Sequence, residues 1–193
     1  SPRTLLHADP DAQDPLFANE AFCATLGVVQ LPGDASAFLN GAVVFANERL
    51  RGTLGANIII HPTTERRLGE QFESAIAALH YGCIAVNAWT GVGYFIAEAP
   101  WGAYPGHTLA DIQSGIGVVH NSHLFSKSQK TVVRAPFYPF PRGLTHGSFA
   151  LLPKPPWFIT NKTADQTGRA LCRFEANPSA LRVLPILAAA LRG

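Results

Sequence analysis

Apolar positions along the chain switch between the strand period and the helix period several times. Residues 24–31, ATLGVVQL, form a short β-branched apolar run closed by Pro32-Gly33, which predicts a buried strand ending in a turn. Pro2-Arg-Thr-Leu-Leu6 reads as an earlier strand. Over residues 37–50 the apolar side chains Phe38, Leu39, Val43, Phe45, Ala46 and Leu50 recur at mostly helical spacing. Asp34 or Ser36 supplies the N-cap, and Gly52 stands where a left-handed C-terminal residue is wanted. Residues 54–61 predict a second buried strand, and Pro62-Thr63-Thr64 opens a helix with the apolar face Leu68, Phe72, Ala75, Ile76 and Leu79. Gly82 ends it, and residues 83–87, CIAVN, predict a third strand.

Strand, helix, strand, helix, strand with short connectors predicts an α/β fold, a parallel sheet built from consecutive βαβ units. Strands apolar on both faces agree, because helices cover both faces of such a sheet. Residues 88–120 are rich in Gly, Pro and aromatic side chains and predict a long functional loop. Residues 130–134, KTVVR, form a short β-branched run stopped by Pro136, and the prolines of residues 136–157 predict an extended C-terminal arm. Residues 179–191 predict a terminal helix despite Pro185. The expected organisation is therefore residues 1–120 and residues 121–193.

Composition narrows the function classes. The chain has 193 residues, enough for a real core, and its 15 basic and 13 acidic side chains are scattered rather than clustered. No phosphate track results, so neither nucleic acid nor an anionic membrane is an expected partner. The apolar runs are too short or too interrupted to span a bilayer. Three cysteines without a close pair point to a reducing, cytoplasmic compartment. The chain begins at Ser1 and contains no methionine, which suggests a piece cut from something longer.

Few residues suggest chemistry by themselves. Glu20 lies three residues before Cys23, a pairing compatible with a base and a nucleophile, or with a loop carboxylate and a small core residue. His120 and His123 could share one side of a helical turn, but no third metal ligand is near in sequence. Gly91-Val-Gly93 lacks the third glycine of a dinucleotide fingerprint, and no Gly-x-Ser-x-Gly elbow is present. Asn161-Lys-Thr163 matches a glycosylation acceptor, which has no meaning in a reducing compartment.

Taken in order, the segments PRTLLHADPDAQDPLFANEAF, AFLNGAVVFANERLRGTLGANIII, ALHYGCIAVN, APWGAYPGHTLADIQSGIG and SQKTVV resemble a family. That family is the aldehyde dehydrogenases, and the resemblance is to the C-terminal part of their catalytic domain plus the oligomerisation strand. It covers roughly residues 2–134 and leaves residues 135–193 without a counterpart.

The resemblance implies an oxidoreductase that oxidises an aldehyde to a carboxylic acid with NAD or NADP. Glu20 and Phe22 match the Glu-x-Phe of the family's Glu-x-Phe-Gly-Pro motif, so Glu20 is expected to bond the nicotinamide ribose and Phe22 to pack beside the nicotinamide. Cys23-Ala24 replaces the motif's Gly-Pro, so the turn differs, and Cys23 is expected to enter a buried strand. Trp101 matches an aromatic of the aldehyde tunnel, and Trp89, Tyr94 and Phe95 extend the expected substrate wall. Lys130, Thr131, Val132 and Val133 match the strand that pairs with a neighbouring subunit, so self-association as a homo-oligomer is expected. The family's nucleophilic cysteine, its base and its dinucleotide domain lie upstream of the matched segments. The chain alone is therefore expected to be catalytically inert and to bind no cofactor, its partner being the N-terminal half of the parent. The other class consistent with the residues is a non-catalytic oligomerisation module derived from that fold.

Overall fold

A computed structural model of the chain describes residues 3–96, 98–116, 127, 129–138, 142–149, 156 and 158–193. It is a mixed helix and strand architecture with small parallel sheets, of the α/β class. The chain divides into two compact units, residues 1–135 and residues 136–193. The expected boundary after residue 120 falls outside the described residues.

The centre of the first unit is a parallel three-stranded sheet formed by β3 (Gly55–Ile58), β4 (Cys83–Val86) and β5 (Thr131–Arg134), in that spatial order. The register sets Gly55 beside Cys83 and Cys83 beside Thr131. All four residues of β4 are buried, because both faces of the central strand are covered. Ile84 and Val86 point to a helical layer: α2 (Ala35–Glu48), α3 (Pro62–Leu68) and α4 (Glu70–Ala78). There they join Leu39, Val43, Phe72, Ile76 and Leu79 in one core.

Local sequence explains these helices. Asp34 is the N-cap of α2, its carboxylate accepting from Ser36 N at 3.1 Å and Ala37 N at 2.9 Å. The helix predicted from Pro62 onward is interrupted at Gly69, which takes φ +50°. Only glycine enters that region without strain, so a single apolar face is carried by two helical pieces.

The other face of the sheet is covered by a 3-10 turn, Thr90–Phe95, where the sequence suggests only an irregular loop. Two glycines permit its close approach. A Cβ on Gly55 would lie 3.0 Å from the Thr90 side chain, and one on Gly93 would lie 2.6 Å from Cys83 Sγ. The turn thus crosses from β3 at Thr90 to β4 at Gly93, and it contacts β5 as well.

β1 (Thr4–Ala8) and β2 (Thr25–Val29) form a separate parallel pair, joined through α1 (Pro15–Ala18). Among the described residues no pairing joins β2 to β3, so this pair and β3–β4–β5 are distinct sheets. The expectation that β2 is buried is corrected here. Leu5 and Leu26 sit side by side on one face and are 60% and 63% exposed. The other face meets α1, where Gly27 lies against Leu16. Cys23, expected to enter buried structure, is exposed, its Sγ 3.4 Å from Thr25 Oγ1.

The second unit contains a 3-10 turn, Arg142–His146, within the segment expected to be extended. It also contains two packed helices, α5 (Ala164–Ala176) and α6 (Ala180–Ala190). The predicted terminal helix is α6, with Pro185 inside it. The Thr163 hydroxyl donates to Ala189 O at 2.7 Å and ties the start of α5 to the end of α6.

Candidate functional site

Glu20 and Phe22 lie on the loop between α1 and β2. Asp14 caps the short α1, accepting from Leu16 N at 2.9 Å, and Pro15 fixes its first turn. The chain then leaves the helix at Asn19 in an extended conformation. Phe22 is 92% exposed and packs into no core.

Glu20 lines a groove of about 980 Å³ between this loop, the C-terminal end of α2 and residues 111–114. That volume suits a small organic ligand. The groove is mixed in charge, lined by Glu20, Glu48 and Asp111 together with Arg49 and Arg51. Arg49 is already engaged: it donates to Ala12 O at 2.5 Å and lies over the Phe17 ring. Gln113 shapes the floor. Its side chain accepts from Gly52 N at 3.2 Å and donates to Asp111 at 3.0 Å, while its own backbone sits at φ +43°. A non-glycine residue there is held by its surroundings at some cost in strain.

The aromatic residues form a second group. Tyr94 meets Phe95 and Trp101 edge to face, with centroids 5.9 and 5.8 Å apart. Trp89 lies over Gly91, where a Cβ would come within 2.3 Å of its indole. None of these residues lines the groove that holds Glu20. The expected cofactor contacts and the expected substrate wall are therefore not brought into one pocket by this chain.

Two asparagines that the sequence did not mark as site residues hold loops at the ends of β3 and β4: Asn57 the start of the aromatic turn, and Asn87 the segment after β3. Asn87, at the end of β4, has φ +54°, and its Oδ1 accepts from Ile60 N at 2.8 Å. Asn57 Oδ1 accepts from Thr90 N at 2.9 Å. Asparagine tolerates the left-handed conformation better than most residues, and this is the one signal that could have marked Asn87.

The residues expected to serve oligomerisation form an edge strand that is already paired on one side within the chain. Thr131, Val132 and Val133 belong to β5, whose inner edge bonds β4. Lys130 is turned to the helical layer, where its Nζ donates to Ile76 O at 3.0 Å, Ala77 O at 2.7 Å and Leu79 O at 2.5 Å. It caps the C-terminal end of α4. Burial pushes its ammonium below the usual lysine range. At the other end of β5, Arg134 pairs with Glu65 at 3.1 Å and Glu73 at 2.7 Å and lies over the Phe72 ring.

Among the described residues, Cys83 and His107 are two further titratable groups buried in the first unit. Cys83 is fully buried, its Sγ 3.5 Å from Thr90 O, and burial pushes its thiol up, away from the reactive thiolate. His107 is buried, with neither ring nitrogen hydrogen-bonded, and stacks on Tyr104, which stacks on His80. Among the described residues no His, Cys, Asp and Glu side chains cluster as a metal site. His120 and His123 lie outside the described residues. No described helix is long and apolar enough to cross a membrane.

Comparison of the chain with family models, with curated proteins and with solved structures gives no match.

Proposed function

We propose that this chain is the C-terminal part of the catalytic domain of an NAD(P)-dependent aldehyde dehydrogenase-like oxidoreductase, which oxidises an aldehyde to a carboxylic acid. The carrying observation is the β1–β2 pair. A two-stranded parallel sheet with leucines exposed on one face is an incomplete unit, since parallel sheets are covered on both faces. In this reading the upstream half of the catalytic domain covers Leu5 and Leu26, and the strands belong to consecutive βαβ units followed by a C-terminal arm. The exposure of Phe22 and the position of Glu20 at a groove support their assignment to cofactor contact.

In the parent protein, the Glu20 carboxylate accepts hydrogen bonds from ribose hydroxyls and Phe22 positions the nicotinamide. Trp89, Tyr94, Phe95 and Trp101 supply an aromatic wall suited to a hydrophobic aldehyde. The nucleophile and the phosphate-binding loop come from elsewhere, so the chain alone is inert, and the parent works in the cytoplasm. Among the described residues no strand pairs with the outer edge of β5, which supports self-association by strand addition.

Calorimetric titration of NAD+ and NADP+ into the 193-residue chain tests the cofactor assignment. No measurable binding is expected, because only the ribose edge of the site is present; micromolar affinity would show that the domain boundary is misplaced. The outer position of β5 among the described strands also favours a second reading, a non-catalytic assembly module. Sequencing the DNA upstream of Ser1 separates the two. A reading frame running back through a cysteine loop and a nucleotide-binding domain supports the enzyme, and a start codon just before Ser1 supports the module.

A further inference from the structure

We propose that the second unit lies on an anionic lipid surface, with the outward face of α6 seated at the acyl boundary and the arginines beside it among the headgroups. The proposal is independent of the aldehyde dehydrogenase reading, since it concerns residues that the resemblance leaves without a counterpart.

Over the whole chain the charges nearly balance, so the sequence by itself points away from an anionic surface. The division into two units changes this. Residues 136–193 hold seven of the 15 basic side chains and, in Asp165 and Glu175, only two of the 13 acidic ones. The surplus of cations is confined to this unit, while residues 1–135 carry a net negative charge. Such asymmetry between parts of one chain points to an anionic partner for the basic part.

α6 supplies the apolar part. Its inner side is held against α5 at Ala189, which is buried and whose carbonyl accepts from the Thr163 hydroxyl. Leu181, Leu184 and Leu187 point away from that seam and are 79%, 62% and 41% exposed. With the exposed Pro185 and Ala188, at helical steps, they form one face that carries no polar side chain. A ridge of this kind is stabilised by leaving water for an apolar phase. At 11 residues α6 is too short to cross a bilayer, and it lies in the plane of the interface.

The cations border this face on the side that α5 provides. Arg173 and Pro185 line one small cavity between the two helices. At the far end of α6, Arg192 donates to Gln166 Oε1 at 3.3 Å. Gln166, Arg169 and Arg173 are spaced by three and four residues, so they share one side of α5 and Arg169 lies between the two contact points. Arg182 and Arg192 already serve carbonyls of the hairpin. The guanidinium groups of Arg169 and Arg173, by contrast, make no hydrogen bond or ion pair among the described residues. Unpaired arginines beside a leucine face are complementary to a bilayer with anionic headgroups, where the leucines reach hydrocarbon and the guanidiniums stay at the phosphates. A nucleic acid would use the arginines and gain nothing from the leucines.

Co-sedimentation of the full chain with phosphatidylcholine vesicles, with and without about one third phosphatidylserine, tests this. The chain should bind the anionic vesicles, bind the neutral ones about tenfold more weakly or worse, and be released by high salt. Leu184→Asp should weaken binding by about tenfold or more, and so should Arg169→Glu combined with Arg173→Glu, while Leu184→Phe keeps it. Circular dichroism and urea unfolding like the parent's show that each variant is folded. A second readout needs no loss of binding: Leu184→Trp should add emission that brominated acyl chains quench. Failure to bind anionic vesicles at low salt overturns the proposal. Binding by Leu184→Asp equal to the parent's, or Leu184→Trp emission untouched by brominated chains, removes α6 from the contact and overturns it too. If the chain ignores vesicles but binds single-stranded RNA through Arg169 and Arg173, the cations serve nucleic acid. If it ignores vesicles, self-associates, and is made monomeric by Leu184→Asp, a second copy covers the face. Either result replaces the lipid surface. None of these outcomes depends on cofactor binding, which the titration above reads separately.

Discussion

Proline substitution at two adjacent positions of β5 should have opposite consequences. The bonds from Thr131 N and Ala135 N to Gly82 O and Val86 O, with the register Ile84 to Val132, place the intervening Val133 N–H on Ile84 O. Val133→Pro removes that donor and leaves a carbonyl of the fully buried Ile84 unpaired. An unsatisfied buried acceptor costs about 1–3 kcal/mol, and the lost strand contacts and ring clash add to it. A total of about 3 kcal/mol or more is expected. Val132→Pro removes an N–H that points outward, and proline is accepted at such an edge position, so the monomer should lose less than about 1 kcal/mol. Urea unfolding at a concentration low enough to keep the chain monomeric measures both, with equal m-values confirming a common unfolding reaction. Equal destabilisation by the two prolines would refute the ladder phase, and with it the identity of the outer edge.

Asn87→Ala keeps a Cβ at φ +54° while deleting the acceptor for Ile60 N, so it should cost about 2–3 kcal/mol in thermal or urea unfolding; Asn87→Gly relieves the strain and should cost about 1 kcal/mol less. Gly93→Ala drives a methyl to 2.6 Å from Cys83 Sγ and should cost about 1–3 kcal/mol, most of it recovered in a Cys83→Ala background. A double-mutant cycle without such recovery would place the clash elsewhere.

Local chemistry made much of the first unit legible. Asp34 before an apolar helical stripe gave α2 to within two residues at each end, and the unbroken apolar run of residues 83–86 matched a strand covered on both faces. Long-range pairing was not written in the local pattern. Leu26 has the composition of a buried residue, and its exposure depends on what lies across the sheet, which no nearby residue encodes. The split at Gly69 was hidden because both helical pieces continue one apolar face. α5 went unread because polar and small residues dominate it, and Leu171 and Phe174 are its only large apolar side chains. At the candidate site, sequence placed Glu20 and Phe22 on one loop and the aromatic residues on another. The bonds from Asn57 to Thr90 N and from Asn87 to Ile60 N were not legible, since a side chain that accepts one backbone N–H leaves no periodic trace.

The late position of β5 in the chain bears on how the protein is made. β4 leaves the ribosome long before Thr131 does, and until β5 arrives its most apolar strand presents an open hydrogen-bonding edge. Closing that edge joins residues far apart in sequence, as the 54-residue separation between Lys130 and Ile76 illustrates, and such contacts form slowly. During synthesis the nascent chain is therefore most prone to aggregate in the interval between residues 86 and 131, with Cys83–Val86 as the sticky segment. Slower translation before β5 would lengthen that exposure, and a chaperone that shields extended apolar segments would raise the soluble yield.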